Sequence, residues 1–161
     1  MRPRRSILLT AAIVIAVDQM TKAIAASALD DGRSVRVIDG VLHWTLQRNP
    51  GAAFGIFRRA PVLFTVLAIG VSALIVWVAP HARAGLHRFA LGLVLGGALG
   101  NLVDRLFRPP GPFRGRVVDF IDFRVWPTFN LADAAVVIGA ILLALHSIRD
   151  ERTRHAPAPP A

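Results

Sequence analysis

Residues 61–79 read PVLFTVLAIGVSALIVWVA, 19 positions without a charge. A bilayer core about 30 Å thick is crossed by roughly 20 helical residues, so this run is read as a membrane span. Working outward, three further segments read the same way. Residues 89–103 are uncharged and continue through Asp104 and Arg105 to Phe107. Residues 134–148 are uncharged and extend back through Asp133 toward Phe129, and residues 6–29 are apolar except for Asp18, Gln19 and Lys22. The chain is therefore expected to be an all-α membrane protein, a bundle of four transmembrane helices.

The first of these segments also has the outline of a cleaved leader, with Arg2, Arg4 and Arg5 ahead of an apolar run and small residues at Ala25, Ala26 and Ala28. Asp18 and Lys22 argue against that outline. They interrupt the segment before any cleavage position, and a disposable apolar region has no use for an acid–base pair. Retention as a span is the expectation.

Composition agrees. At 161 residues the chain is one domain by length, 54% of it hydrophobic, with a mean hydropathy of +0.52. Its formal charge of +9 is scattered between apolar runs and forms no contiguous basic patch, which argues against nucleic acid. There is no cysteine, so disulfides, thiolate nucleophiles and thiolate-bound metals are excluded. The five histidines, His43, His81, His87, His146 and His155, lack metal-ligand spacing, and no metal or cofactor is expected.

The connections add detail. Residues 35–46 (VRVIDGVLHWTL) place β-branched and aromatic residues around an Asp39-Gly40 turn signal, predicting a small hairpin. Residues 108–115 carry three prolines and two glycines and read as an irregular surface loop. Residues 149–161 are charged and then Pro-rich, so the expectation is a membrane domain over 1–148 followed by a disordered cytoplasmic tail. With four spans both ends share a side. The two sides carry eight and nine Lys/Arg, which does not decide orientation, but the nine are spread over longer loops. Basic density thus favours cytoplasmic termini.

An ionisable group at bilayer depth costs at least about 2.5–3.5 kcal/mol on insertion scales, so each one calls for a reason. Asp18 and Lys22 share a helical face, four residues apart. They read either as a self-neutralising pair with Lys22 snorkelling to the outer interface or as neighbours of an active site. Gly92, Gly96 and Gly100 form one stripe of the third span, continued by Asp104, with Gly97, Asn101 and Arg105 beside it. The glycines read as a seam for close helix approach, and Asn101, Asp104 and Arg105 as structural polar groups at the helix end. Asn130 and Asp133 open the fourth span, where capping is the simplest role. Asp119, however, sits 14 residues upstream in strongly apolar sequence. Two carboxylates converging at a membrane surface, Asp119 from a loop and Asp133 from a helix start, suggest shared-proton chemistry. One would act as base on a water while its protonated neighbour polarises a substrate carbonyl.

Five motifs taken in order resemble the lipoprotein signal peptidase (signal peptidase II) family. Asp18-Gln19-Met20-Thr21-Lys22 is similar to its DQxTK box, and Asn49-Pro50-Gly51-Ala52-Ala53-Phe54-Gly55 to NxGAAFG. The stretch from Gly96 to Arg105 resembles GGxxGNLxDR, Val117–Phe123 resembles VVDFxDF, and Phe129–Asp133 resembles FNxAD. The Pro- and Arg-rich stretch 108–114 looks longer than is typical. The resemblance implies an aspartic endopeptidase of the bacterial inner membrane, a four-span bundle with cytoplasmic termini, a small extracytoplasmic β-element and a site near the outer face. It would remove signal peptides from diacylglyceryl-modified prolipoproteins on the amino side of the lipidated cysteine. Implied partners are those lipidated precursors, membrane lipid and cyclic peptide inhibitors of the globomycin type. The family's catalytic pair falls on Asp119 and Asp133, and supporting positions fall on Asp18, Lys22, Asn49, Asn101, Arg105 and Asn130. Asp122 is read as structural. The alternatives from residue types alone are a small ion-coupled transporter or channel subunit and a purely structural membrane subunit, which would leave Asp119, Asp133 and Asn130 unexplained.

Overall fold

A computed structural model describes residues 3–29, 33–51, 61–82 and 85–154. Four helices carry the chain: α1 (Pro3–Leu29), α2 (Pro61–Val78), α3 (Gly85–Phe107) and α4 (Leu131–Arg154), with a 3-10 turn over Ala79–His81 closing α2. Each is long and apolar enough to cross a bilayer. Their outer faces expose Leu8, Ile13, Leu67, Leu74, Trp77, Val137 and Ile141 among others. Such surface suits hydrocarbon, where every helical backbone group is satisfied within its own segment. The four spans read from the sequence are these four helices.

α3 is the central helix, packed chiefly against α1 and α4 and less extensively against α2. Its glycines explain how. A Cβ at Gly92 would meet Thr10 and the Ile7 carbonyl, and one at Gly96 would meet Val14 and the Ala11 carbonyl, so this stripe is the seam with α1. Gly97, on the neighbouring stripe, faces Ala132 and Val136 of α4. Lipid tails are as apolar as leucine, so association here relies on this close backbone approach. An apolar cluster of Ile7, Ala11, Ile75, Ala79, Leu91 and Leu95 fills the bundle toward the end where the chain begins.

A three-stranded antiparallel sheet, in the order β1-β2-β3, caps the other end. β1 (Ser34–Ile38) and β2 (Leu42–Asn49) form the expected hairpin. Gly40 takes φ +69° in its turn, a conformation that suits a residue without Cβ. The third strand, β3 (Val117–Asp122), corrects the expectation that Asp119 stands on a loop. Paired with β2, the Val-Val-Asp-Phe-Ile-Asp run satisfies its backbone in a ladder while burying Val117, Val118, Asp119 and Phe120. Phe129 then exchanges backbone bonds with Ile121 immediately before α4 begins.

The loop from α3 to β3 is irregular, as expected, and folds back on the helix end. Gly115 N–H donates to the Arg105 carbonyl at 3.0 Å and Arg116 N–H to the Pro109 carbonyl at 3.1 Å. At the far end α4 runs on to Arg154, into the stretch read as a disordered tail. Residues 149–154 are free of proline, and the first one beyond them is Pro157.

Candidate active site

Under the sheet, where α1 and α3 end and α4 starts, the polar residues of the apolar segments come together. Asp119 is buried on β3 and Asp133 lies in the first turn of α4. Asn130 joins them. Its Nδ2 donates to Asp119 Oδ1 at 2.6 Å and its backbone N–H to Asp133 Oδ2 at 3.2 Å, while Asn130 Oδ1 accepts from the Asp133 N–H at 3.0 Å. The Asn130–Asp133 exchange is a reciprocal N-cap, so the capping reading was right as far as it went.

The outer oxygen of each carboxylate is held by another amide. Asn49 Nδ2 donates to Asp119 Oδ2 at 2.9 Å, and its Oδ1 accepts from the Gly51 N–H at 2.8 Å, which fixes the amide's orientation. Asn49 lies on β2 opposite Val117, and Gln47 lies opposite Asp119, so Asn49 and Asp119 are diagonal neighbours on one sheet face. Asn101 Nδ2 donates to Asp133 Oδ1 at 2.7 Å.

Behind Asn101 lies a buried charge cluster. Lys22 Nζ sits 2.8 Å from Asp18 Oδ2, 2.9 Å from Asp104 Oδ2 and 2.9 Å from Asn101 Oδ1, with all three charged side chains fully buried. Lys22 therefore does not snorkel to the interface. Three acceptors inside the bundle outcompete water for its ammonium. Asp18 Oδ1 accepts the Ala132 N–H at 2.9 Å and Asp104 Oδ2 the Val118 N–H at 3.2 Å, so each acid also fixes the backbone next to one of the paired aspartates. Arg105 stacks over Phe64 of α2 at 5.6 Å and borders a cleft of about 240 Å³ lined also by Asn49, Gly51, Ala68, Ala98, Asn101 and Asp133.

Burial raises the Asp119 carboxyl from the usual carboxylate range to about 7. The charge of Asp133 adds to this, and the amide bonds from Asn49 and Asn130 oppose it.

Every residue singled out as catalytic or supporting reaches this cluster: Asp18, Lys22, Asn49, Asn101, Arg105, Asp119, Asn130 and Asp133. Asp122 does not. It ends β3 and accepts the Arg124 N–H at 2.7 Å. Of the NPGAAFG motif, Ala52, Ala53, Phe54 and Gly55 lie outside the described residues. Asp104, read from the sequence as a structural polar group at the helix end, is one: it takes Lys22, Arg108 and the Val118 N–H together. Two further contributors have no role in the sequence reading. Gln19, whose amide reaches Asp18, Gly100 and Asp104, was signalled by its polarity inside an apolar span. Phe64 carries no signal in a uniformly apolar run.

Fold and site together define a multi-pass membrane protein with a buried pair of carboxylates, ringed by amides, at one end of a four-helix bundle. The family model described as signal peptidase (SPase) II matches residues 10–149. A lipoprotein signal peptidase of Mycobacterium leprae (strain Br4923) is 46% identical over 147 residues, covering 91% of this chain and 73% of the relative. One from Mycobacterium tuberculosis (strain H37Rv) is 45% identical with the same coverage. A bacterial membrane enzyme structure solved by the in meso method at 2.3 Å superposes with a TM-score of 0.82 at 32% identity, covering 96% of this chain and 94% of the other. The chain belongs to the signal peptidase II family and is a multi-pass bacterial membrane protein. Nothing in these likenesses favours the transporter reading.

Proposed function

We propose that the chain is an aspartic endopeptidase that removes signal peptides from prolipoproteins, with Asp119 and Asp133 as its catalytic pair. The observation that carries the assignment is Asn130, one residue whose side-chain amide holds Asp119 and whose backbone N–H holds Asp133. In the reaction the ionised member of the pair takes a proton from a water, whose oxygen bonds to the scissile carbonyl carbon. The protonated member gives its proton to the carbonyl oxygen, producing a tetrahedral gem-diol. Collapse returns one hydroxyl proton to a carboxylate, passes the other carboxyl proton to the amide nitrogen, and breaks the C–N bond. One proton remains on the pair at the end, as at the start.

The preferred bond lies on the amino side of a cysteine carrying diacylglycerol. The cleft between α2 and α3 opens among lipid-facing helices, so acyl chains dissolve beside it without a deep aqueous pocket. Burial at about 0.8 kcal/mol per CH₂ holds the cysteine in the plane of the carboxylates. Supporting roles fall to Asn49, Asn101 and Asn130 as orienting amides, to Arg105 facing the cleft, and to Asp18 and Lys22 behind it. Cyclic peptides of the globomycin type would occupy the same cleft. The termini face the cytoplasm of the inner membrane and the sheet lies outside it, in line with basic density.

The test is Asp119→Asn and Asp133→Asn in purified enzyme with a lipidated precursor. An amide keeps the size but neither accepts the water's proton nor shares one. Each variant should lose cleavage by about 10²–10⁴-fold or more, and the double variant little beyond either single. Near wild-type cleavage by a folded variant refutes the assignment.

A further inference from the structure

A second cleft, of about 310 Å³, opens on the other side of the strand pair, lined by Arg48, Arg108, Pro109, Pro110 and Arg116. Arg48 lies opposite Val118, between Gln47 and Asn49, so by strand alternation it projects to the sheet face away from Asn49 and Asp119. A peptide bound at the carboxylate pair does not need this space. Three arginines nonetheless line it. Arg108 is held in place by its Nε, 2.6 Å from Asp104 Oδ1. The loop bearing Arg116 is tied back by the Arg116 N–H to Pro109 carbonyl bond. Among the described residues, none that lines the cleft is acidic.

Its depth narrows the choice of ligand. Arg108 is the first residue after the α3 span, and Phe107 before it is 80% exposed, with Phe113 also exposed across the loop. That position of Arg108, directly following the last residue of the span, puts the cleft at the level of the headgroup region that flanks the hydrocarbon core. Arginine forks match phosphate oxygens in geometry and charge. We propose that this cleft binds the phosphate of an anionic phospholipid headgroup, with the acyl chains running along the adjoining helix surface. The ligand sits behind the carboxylate pair and is distinct from substrate.

Lipid retention is measured on the intact protein by native mass spectrometry and by titration in detergent. Phosphatidylglycerol and phosphatidylcholine of equal chain length are compared, with inorganic phosphate and an acidic hexapeptide as competitors. Each arginine near a membrane surface contributes about fivefold in affinity for anionic lipid, so Arg48→Gln/Arg116→Gln should weaken phosphatidylglycerol binding roughly thirtyfold. Phosphatidylcholine binding should not change, and precursor cleavage in phosphatidylcholine vesicles should stay at the wild-type rate. Arg48→Lys/Arg116→Lys should keep most of the preference, and the exposed single change Arg116→Gln serves if the double variant does not fold. The proposal is overturned if the wild type shows no preference for phosphatidylglycerol, or if the Gln variants retain it. Displacement by inorganic phosphate as effective as by lipid would assign the cleft to a soluble anion. Displacement by the hexapeptide, or lost cleavage in a folded variant, would assign it to substrate.

Discussion

Replacing Lys22 by methionine keeps the volume of the side chain and removes only its ammonium. Three bonds go with it, to Asp18, Asp104 and Asn101, and two acids are left together in a site from which water is excluded. Breaking a buried ion pair by deleting one partner costs about 3–5 kcal/mol. The lower end applies here, because the orphaned acids keep other donors. Asp104 retains Arg108 and the Val118 N–H, and Asp18 retains the Ala132 N–H. A loss of about 3 kcal/mol corresponds to a fall in Tm of about 6–12 °C for a chain of this size. Asp104 still has Arg108, so the charge left uncompensated is that of Asp18; adding Asp18→Asn to Lys22→Met removes it, and the double variant should regain most of that fall. Thermal unfolding in one detergent, followed by intrinsic tryptophan fluorescence, reads all of these. A Lys22→Met protein melting within about 2 °C of wild type would mean the cluster is neither as dry nor as coupled as its geometry states.

The pH profile supplies a second expectation. With Asp119 pushed up to about 7, the pair loses its last proton as pH rises through that value, so cleavage should fall there. Asn49 donates to the ionised form of Asp119 and lowers its pKa, so Asn49→Ala should move this alkaline limb upward; an unmoved or lowered limb counts against the bond. Linkage has the same sign: a carboxyl titrating higher in the folded protein than unfolded makes stability decline as pH rises from about 4 to about 7, read by Tm against pH in the inactive Asp133→Asn background. Gly97→Ala should push α4 off α3, since its Cβ would meet the Ala132 carbonyl and Val136 Cγ2 at 2.6 Å. The cost is about 1–3 kcal/mol in melting, with cleavage impaired, while Gly70→Ala, which meets nothing within 4 Å, leaves both unchanged. Asp122→Asn should retain most activity in the precursor assay, because its carboxylate faces Arg124 rather than the pair.

What was legible in the sequence follows from which signals are local. Span length and apolarity are local, so all four helices could be read directly. The glycine stripe likewise named the faces that meet, because a missing Cβ has meaning only where another backbone approaches. The hairpin was legible from Asp39-Gly40, whereas β3 was not. Its ladder partner is a strand some seventy positions earlier, and a short apolar run with two acids has no local mark of that partner. The same distance hid the hub at Asp104, whose partners Lys22 and Val118 come from α1 and β3. Asp119 and Asp133 were legible because ionisable residues in apolar sequence need a reason, but the amide ring around them needed the family likeness to be noticed.

That ring has a physical logic of its own. If Asp119 and Asp133 share a proton as proposed, they must be kept from becoming two stable carboxylates, and a cation in direct contact would promote that by favouring the charged form of its neighbour. The oxygens of Asp119 and Asp133 are instead held by neutral donors from Asn49, Asn101 and Asn130 and by a backbone N–H. The fully buried cation Lys22 stands one residue back, and its contact with Asn101 Oδ1 turns that amide so that its N–H₂ faces Asp133. The lysine thus orients the pair without bonding to it, and its own charge is balanced by Asp18 and Asp104. Moving a cation one step forward tests this directly. In Asn101→Lys the ammonium would meet Asp133, and both carboxyls would ionise at neutral pH. Cleavage should then fall by at least the 10²–10⁴-fold attached to a lost general acid, and recover in part as pH is lowered. Asn101→Ala is the control, since removing a neutral donor cannot pull the second proton off. If the alanine and lysine variants have superimposable pH profiles, the neutrality of the ring is incidental to how the pair holds its proton.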